Sequence, residues 1–534
     1  MFFQFCDLCR KTTKVQSIIV QRFYRKGSKS KYKHVKHPEV PKAIKEQTPI
    51  ISCKRKEFNF YKGQTYSKYV PIPLATKGWH HYKSKGDYFF IHPLTNVEEE
   101  SNCESDKEYD SFAHFGLNPE LVKILERYDI TKPMDIQTRG LPIIMSGANT
   151  VIAAETGCGK TFTYLLPMID KIYRWKKLTD TRYNSPLGLI VTPTRELAFQ
   201  IGLEAQKLCQ YLDINTKTIT GGKTKKMMLN PPVSEVDIII ASFGVISKLT
   251  TTRIYKLDMV RSIVLDEADA LFHETFEDKL QVFLKRVPLG FRQDMDDTEL
   301  PIAAQFALAS ATMPSRMSEV LHNIINVDSL VNVTSDKLHH IIVPQKFMRV
   351  GPDDKPAELL KYIKPKVAQK EQVIIFTNKS TTCNWVSQFL EASNIQTACL
   401  HGSLPFNVRS NTYAVFKSGR CQVLCTTNAG SRGLDTIKVR HVLNYEFPTA
   451  TADYIHRCGR TGRVGKTKDC RVTNFISTKW DIAVVHKIER AVRRMKPIPI
   501  FDISETDEDK DDGPVFEPET YEDDNVEEEF SIPY

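Results

Sequence analysis

The sequence predicts an α/β protein of two tandem parallel-sheet domains, and three observations predict it. Short apolar, β-rich runs recur at Thr150–Ala154, Leu189–Thr192, Asp237–Ala241, Ser262–Leu265 and Ala304–Ala309. Helical stretches separate them, the alternation expected of parallel strands covered on both faces. A second series follows at Gln372–Thr377, Thr397–Leu400, Gln422–Cys425, His441–Asn444 and Arg471–Ile476. The expected domains are residues 109–335 and 338–500, joined near Ser335–Asp354.

The flanks differ in texture. Residues 1–36 hold ten Lys or Arg and one acid, Asp7, with apolar residues broken by Ser and Thr. That pattern predicts a mitochondrial presequence; a basic RNA-binding arm or a nuclear signal shares the composition. Residues 37–108 are Pro- and Lys-containing without clear periodicity and read as a basic arm or linker. From Asp502 onward, fifteen acids stand against one base, Lys510, so residues 501–534 read as an acidic disordered tail.

Composition narrows the class. Of 534 residues, 41% are hydrophobic and 26% charged, which excludes collagen-like, mucin-like and wholly disordered chains. No apolar run reaches the roughly 18–20 residues of a spanning helix, so no membrane insertion is expected. The twelve cysteines form no secreted-type framework, which suits a reducing compartment. The net charge of +10 combines a tail of −14 with a body of +24, 73 bases against 49 acids. A body this basic points to a polyanionic partner.

Two motifs supply chemistry. Ala153-Ala154-Glu155-Thr156-Gly157-Cys158-Gly159-Lys160-Thr161 follows a strand and opens a helix. Ala154 replaces the first glycine of the usual phosphate-loop pattern; Gly157, Gly159, Lys160 and Thr161 keep the rest. Backbone N–H groups and the helix N-terminus suit phosphate, Lys160 suits the β- and γ-phosphates, and the Thr161 hydroxyl suits Mg2+. In Ile263-Val264-Leu265-Asp266-Glu267-Ala268-Asp269, an apolar strand ends in carboxylates at the edge where α/β sheets bind ligands. Asp266 can join the Mg2+ shell, and Glu267 can orient and deprotonate the attacking water. ATP and Mg2+ are thus the expected substrate and cofactor.

The order of motifs over about residues 110–495 resembles the DEAD-box RNA helicases of helicase superfamily 2. Pro193-Thr194-Arg195-Glu196-Leu197-Ala198, Gly221-Gly222, Ser310-Ala311-Thr312, Ile374-Ile375-Phe376, Ser431-Arg432-Gly433-Leu434-Asp435 and His456-Arg457-Cys458-Gly459-Arg460-Thr461-Gly462-Arg463 stand in family order. The resemblance implies two RecA-like domains, the first binding ATP. It implies RNA contacts at Pro193, Thr194, Arg195, Gly222, Arg409 and Thr426, and coupling of turnover to strand separation through Ser310 and Thr312. Arg460 and Arg463 would reach the γ-phosphate, Asp435 the ribose, and His456 the other domain. Gln137 would read adenine. Local unwinding is implied; an ATP-gated RNA clamp or assembly scaffold with little unwinding is the alternative.

The pattern breaks at several positions. Ile130 stands where an aromatic would stack on adenine, and Val245 where an RNA-track arginine is expected. Asn428 replaces an aspartate, and Phe406 replaces a glutamine three residues before Arg409. These changes imply altered RNA engagement with catalysis retained. Thr334–His339, Asn384-Trp385, and Trp480-Asp481 leading to Lys487-Ile488-Glu489-Arg490 resemble a mitochondrial branch of the family implicated in large mitoribosomal subunit assembly. That branch implies ribosomal RNA and large-subunit precursors as partners and the mitochondrial matrix as location, with the nucleus the alternative. The helix from about Trp480 is amphipathic, with Ile482, Val485, Ile488 and Val492 inward and Lys487, Arg490, Arg493, Arg494 and Lys496 expected outward.

Overall fold

Three strands come before either expected domain: β1 (Pro49–Cys53), β2 (Phe60–Tyr61) and β3 (Tyr88–Ile91). The first lobe then supplies β4 (Thr150–Ala153), β5 (Gly188–Thr192), β6 (Thr216–Ile219), β7 (Ile238–Ser242), β8 (Ser262–Asp266), β9 (Gln305–Ser310) and β10 (Val331–Thr334). The second supplies β11 (Gln345–Arg349), β12 (Val373–Phe376), β13 (Thr397–Leu400), β14 (Val423–Thr426), β15 (His441–Asn444) and β16 (Arg471–Ile476). The computed structural model describes residues 49–66, 71–93, 111–179, 183–289 except 223 and 274, 300–335 except 314–315, 343–430, 434, 436, 438–462, 469–499 and 501. The expected presequence, residues 502–534 of the acidic tail, Asp435 and Arg463 lie outside the described residues, while Phe501 is buried in the second lobe.

The first sheet is wholly parallel in the order β10-β4-β9-β8-β5-β7-β6. Its five central strands are apolar on both faces because helices cover both. Ile152, Ile190, Ile240 and Val264 join one buried cluster, while Val151, Leu189, Ile239 and Ile263 join the other. This is the two-residue alternation of a strand resolved into two cores. Five of these strands fall on predicted apolar runs to within about one residue. β6 and β10 are edge strands with polar and exposed positions and lack that signature.

The second sheet has nine strands, β13-β14-β12-β15-β16-β11-β3-β1-β2. Its first six are parallel; β3, β1 and β2 extend it in antiparallel register. The expected linker over 37–108 is therefore structured where it is described, as part of the second lobe. Phe89 lies opposite Phe347 across β3 and β11, with ring centroids 4.9 Å apart. Trp79, Phe60 and Phe89 are buried. Each such side chain contributes on the order of 2–3 kcal/mol on burial.

The C-terminal helix, Lys479–Arg493, locks this extension in place. Glu489 accepts from the backbone N–H groups of Ala75 (2.8 Å) and Thr76 (3.0 Å) and from the Thr76 hydroxyl (2.9 Å). Arg493 pairs with Glu489 at 2.8 Å and donates to the Phe58 carbonyl and the Tyr66 hydroxyl. The side chains of Arg493 and Glu489 are fully buried, so Arg493 is not on the basic outer face its spacing predicted. A buried guanidinium requires this saturation by acceptors. Lys487, Arg494 and Lys496 are exposed as expected.

Candidate functional site: the cleft between the two lobes

Three adjacent strands of the first sheet bring the nucleotide motifs together. β4 ends at the phosphate loop, its neighbour β9 at Ser310, and the next strand, β8, at Asp266. Neighbouring strands run roughly 4.8 Å apart, so sequence-distant motifs meet at one carboxyl edge. The Ala154 N–H donates to the Ser310 carbonyl at 3.1 Å, closing the loop onto β9.

The phosphate loop turns into the helix Lys160–Trp175 at Gly159, whose φ is +94°. A Cβ there would lie 2.5 Å from Gln137 Nε2, so only glycine admits that approach. Gln137 is buried, donates to the Gly159 carbonyl at 3.2 Å and accepts from the Met134 N–H at 2.8 Å. The residue expected to read adenine thus also fastens its segment to the phosphate loop. Lys160 Nζ donates to the carbonyls of Ala154 and, at 2.7 Å, Glu155. The buried Cys158 thiol donates to the Glu155 carbonyl at 2.9 Å. Burial raises its pKa, which keeps it a neutral packing group.

Asp266 is buried at the end of β8. Its carboxylate accepts from the Tyr164 hydroxyl at 2.7 Å and the Glu267 N–H at 2.8 Å. Burial pushes the carboxyl up, opposed by the Tyr164 hydrogen bond and the Lys160 ammonium. Glu267 follows with its backbone in the left-handed region at φ +48°, a conformation a non-glycine residue keeps only where its surroundings impose it.

The lobes meet at Asp269. Its Oδ2 accepts from the Thr312 hydroxyl at 2.7 Å and lies 2.6 Å from His456 Nε2 of the second lobe. The carboxylate assigns the imidazole proton to Nε2. Ser310 Oγ accepts from the N–H groups of Asp269 (3.3 Å) and Thr312 (3.4 Å). Beside this relay, Gly459 lies so close to the Thr156 hydroxyl that a Cβ would collide with it. A narrow cavity of about 60 Å³ remains between Glu155, Thr156, Ala311, Tyr454 and Cys458.

A second bridge lies among the residues expected on the RNA track. Arg409 approaches Glu196 to 3.0 Å across the lobes, with both side chains mostly buried. Thr194 caps the helix Arg195–Cys209 by accepting from the Leu197 N–H, and Pro193 precedes it. Arg195 lies against Gly221, and Gly222 has φ +106°. Thr426 is buried at the end of β14.

The departures from pattern are packed into the fold. Val245 is buried in the first-lobe core, and Ile130 packs against that lobe's other core. Phe406 lies under the Arg409 guanidinium, 5.9 Å from ring centroid to Cζ. Asn428 Oδ1 accepts from Arg457 Nε (2.9 Å) and Nη2 (2.6 Å), while its amide donates to Asp453 at 2.6 Å. Arg457 is fully buried and also donates to Asn378 Oδ1 and the Glu446 carbonyl. Burial lowers its pKa to about 10. Arg460 is buried and donates to the His456 and Leu434 carbonyls of its own lobe.

Asp269, Glu196, Tyr164 and Arg457 were not among the expected site residues. Tyr164 stands four residues after Lys160 on one helix, a spacing that puts both on one face. Asp269 is the last carboxylate of the strand-end motif. The pairing of Glu196 with Arg409 joins two lobes and has no local signature.

Comparison with known proteins agrees with this geometry. Residues 134–320 match the DEAD/DEAH box helicase family, and residues 354–465 match the helicase conserved C-terminal domain. The chain is 33% identical to the probable ATP-dependent RNA helicase DDX28 of Mus musculus over 473 residues, covering 86% of this chain and 87% of that protein. It is 32% identical to DDX28 of Homo sapiens, with the same coverage. A variant of S. cerevisiae Dbp5 bound to RNA and ADP BeF3 superposes with a TM-score of 0.59 at 25% identity, covering 71% of this chain and 93% of that one.

Proposed function

We propose, since the chain belongs to the DEAD-box family of ATP-dependent RNA helicases, that it remodels ribosomal RNA locally during assembly of the large mitochondrial ribosomal subunit. The carrying observation is the relay from Thr312 through Asp269 to His456, which joins the phosphate-loop lobe to the lobe bearing Arg460. A group bridging the lobes at the nucleotide edge makes their relative position depend on the nucleotide, and Arg409–Glu196 does the same on the RNA side.

In this reading Ala153–Thr161 cradle the phosphates of ATP, and Lys160 exchanges loop carbonyls for phosphate oxygens. Glu267 orients and deprotonates the attacking water. Arg460 and Arg463 meet charge that gathers on the γ-phosphate, Arg460 after leaving the two carbonyls it now serves. Asp435 meets the ribose. Thr161 and Asp266 offer a hydroxyl and a desolvated carboxylate, hard oxygen donors that fit Mg2+ beside bound phosphates. Bound there, Mg2+ would neutralise phosphate charge.

The mitochondrial part rests on the basic, acid-poor residues 1–36 and on the branch motifs, and it implies the matrix as location and large-subunit precursors as partners. The test is steady-state ATP hydrolysis with and without single-stranded and ribosomal RNA, with Glu267→Gln as blank. RNA-stimulated turnover that vanishes in the variant supports the enzyme; tight RNA and ATP binding without Glu267-dependent turnover supports a clamp. A reporter fused to residues 1–40 that stays out of mitochondria removes the presequence.

A further inference from the structure

The N-terminal extension does more than widen a sheet. It suspends the segment Lys77–Gly86 from fixed points on the second lobe. At one end, Ala75 and Thr76 are bound by Glu489, and the Thr76 hydroxyl lies 3.0 Å from His486 Nδ1. Trp79 is fully buried, and its indole donates to Asp87 at 3.0 Å. The Ser84 hydroxyl donates to the carbonyls of Trp79 (2.9 Å) and His81 (2.6 Å). At the other end, the Gly86 N–H donates to the Arg349 carbonyl at 2.9 Å, and Arg349 Nε donates to the Trp79 carbonyl at 3.1 Å.

What this rigid segment displays is basic and aromatic. Lys77, His80, His81, Tyr82, Lys83 and Lys85 are exposed, and none of the ten residues 77–86 is acidic. Tyr82 is 70% exposed, and its ring lies 4.6 Å from that of His81. Lys85 is paired with Asp354 at 3.1 Å; among the described residues no ion pair is recorded for Lys77 or Lys83. The neighbouring C-terminal helix adds His486, Lys487 and Arg490. Burial, then Arg490, with smaller contributions from His80 and Lys77, holds His486 below its usual pKa against the opposing pull of Glu489.

Position matters as much as composition. Arg349 is the last residue of β11, which runs parallel to β16, β15, β12 and β14. The segment is thus pinned to the carboxyl edge of the sheet, the edge that also carries Thr426 at the end of β14. Four strand spacings separate them, roughly 19 Å at about 4.8 Å each. We infer that Lys77–Lys85 with Arg490 form a second RNA-contact surface, which takes a single-stranded segment that extends beyond the first track. Tyr82 and His81 supply stacking faces, and Lys77, Lys83 and Arg490 supply charge for phosphates. The inference rests on the RNA reading above.

The test compares RNA of roughly 6 and roughly 24 nucleotides, the short one able to fill only one site of the usual 4–16-nucleotide range. In the full-length protein, the triple variant Lys77→Ala, Tyr82→Ala, Lys83→Ala should raise the half-saturating concentration of the long RNA by about 5–20-fold and leave the short RNA within about twofold. The slope of log affinity against log salt for the long RNA should fall by about 1.4, two phosphate contacts at roughly 0.7 each. Tyr82→Phe should bind as the parent does. Unchanged long-RNA binding, or equal losses on both RNAs, overturns the inference. Should the triple variant fail to fold, 4-thiouridine RNA is photocrosslinked to the unaltered protein. Crosslinks within 77–85 then support the surface; crosslinks confined to the Arg195 and Arg409 segments overturn it. A parent protein that binds long RNA by way of Tyr82 yet shows no RNA-stimulated ATPase sinks the helicase reading alone. A stimulated parent indifferent to Tyr82 sinks this inference alone.

Discussion

The two lobes share a parallel-sheet plan but treat their charges in opposite ways. The first places an ammonium and carboxylates at its cleft edge, and burial works against Asp266 in its charged form. The second buries the guanidinium groups of Arg457, Arg460 and Arg493 and surrounds them with acceptors. Arg457 is held by the side-chain oxygens of Asn378 and Asn428 and a backbone carbonyl, and Arg493 by Glu489, a carbonyl and a hydroxyl. The first lobe is arranged to exchange partners with a ligand. The second is arranged so that Arg457 and Arg493 hold position, and His456 is a contact with the chemistry of the first.

The sharpest way to break that contrast is at the buried pair. Glu489→Gln leaves Arg493 buried without its counter-charge and should cost about 3–5 kcal/mol. Chemical denaturation should show the loss, and proteolysis should cut within residues 49–93 while the first lobe stays intact. Next in size is the bridge between the lobes. His456→Ala should lower RNA-stimulated turnover by roughly 10–100-fold, a coupling of about 1.4–2.7 kcal/mol, with ATP affinity nearly preserved. Equal losses with and without RNA would show that His456 does not couple the lobes.

Asp266→Asn sharpens the contrast from the other side. Because burial raises the Asp266 carboxyl, the folded state holds its proton more tightly than the unfolded chain does. The stability linked to this group is complete below the ordinary carboxylate value and is lost as pH rises through the raised one. The amide removes that loss, so the variant should unfold about 2–4 °C higher at neutral pH, for roughly 1 kcal/mol. The gain should vanish in acid, and ATPase should be abolished. A lower transition at neutral pH would contradict the burial argument. The smallest expected effect concerns the −14 tail. Deleting residues 502–534 should lower the RNA concentration for half-maximal ATPase by about 2–5-fold, through loss of competition for the basic surface. No change, or a rise, would argue against such competition.

The nucleotide site was legible because its motifs are local. A phosphate loop or a strand ending in carboxylates keeps its signature within nine residues, and the sheet order then collects three of them. Nine of the ten predicted strands were legible because they are buried on both faces; the tenth, β13, is an edge strand of alternating burial that its place in the strand–helix series marked. The extension was not. Tyr88–Ile91 alternates half-buried and buried residues over only four positions, and its partner strand β11 has five of mixed burial. The role of Arg493 was hidden for a related reason. Helical spacing put it beside a basic face, and only the arrival of Phe58 and Tyr66 turned that position inward. Val245 reads in sequence as a lost RNA contact, yet the structure shows a well-packed core residue.

The pairing of Ile91 with Gln345 joins residues 254 positions apart, counted as 345 minus 91. On a ribosome adding about 5–20 residues per second, β3 waits roughly 13–50 seconds for β11 to be made. Meanwhile the whole first lobe is synthesised and can fold. During that interval β3 has only β1 beside it, and Trp79, Phe89 and Ile91 lack the second-lobe core that they later join. The strands β1, β2 and β3 at one edge of the second sheet are therefore made before every other strand of that sheet. A message cut short after the first lobe would release a nucleotide-binding domain with β3 open on the side that β11 covers, a natural substrate for chaperone capture.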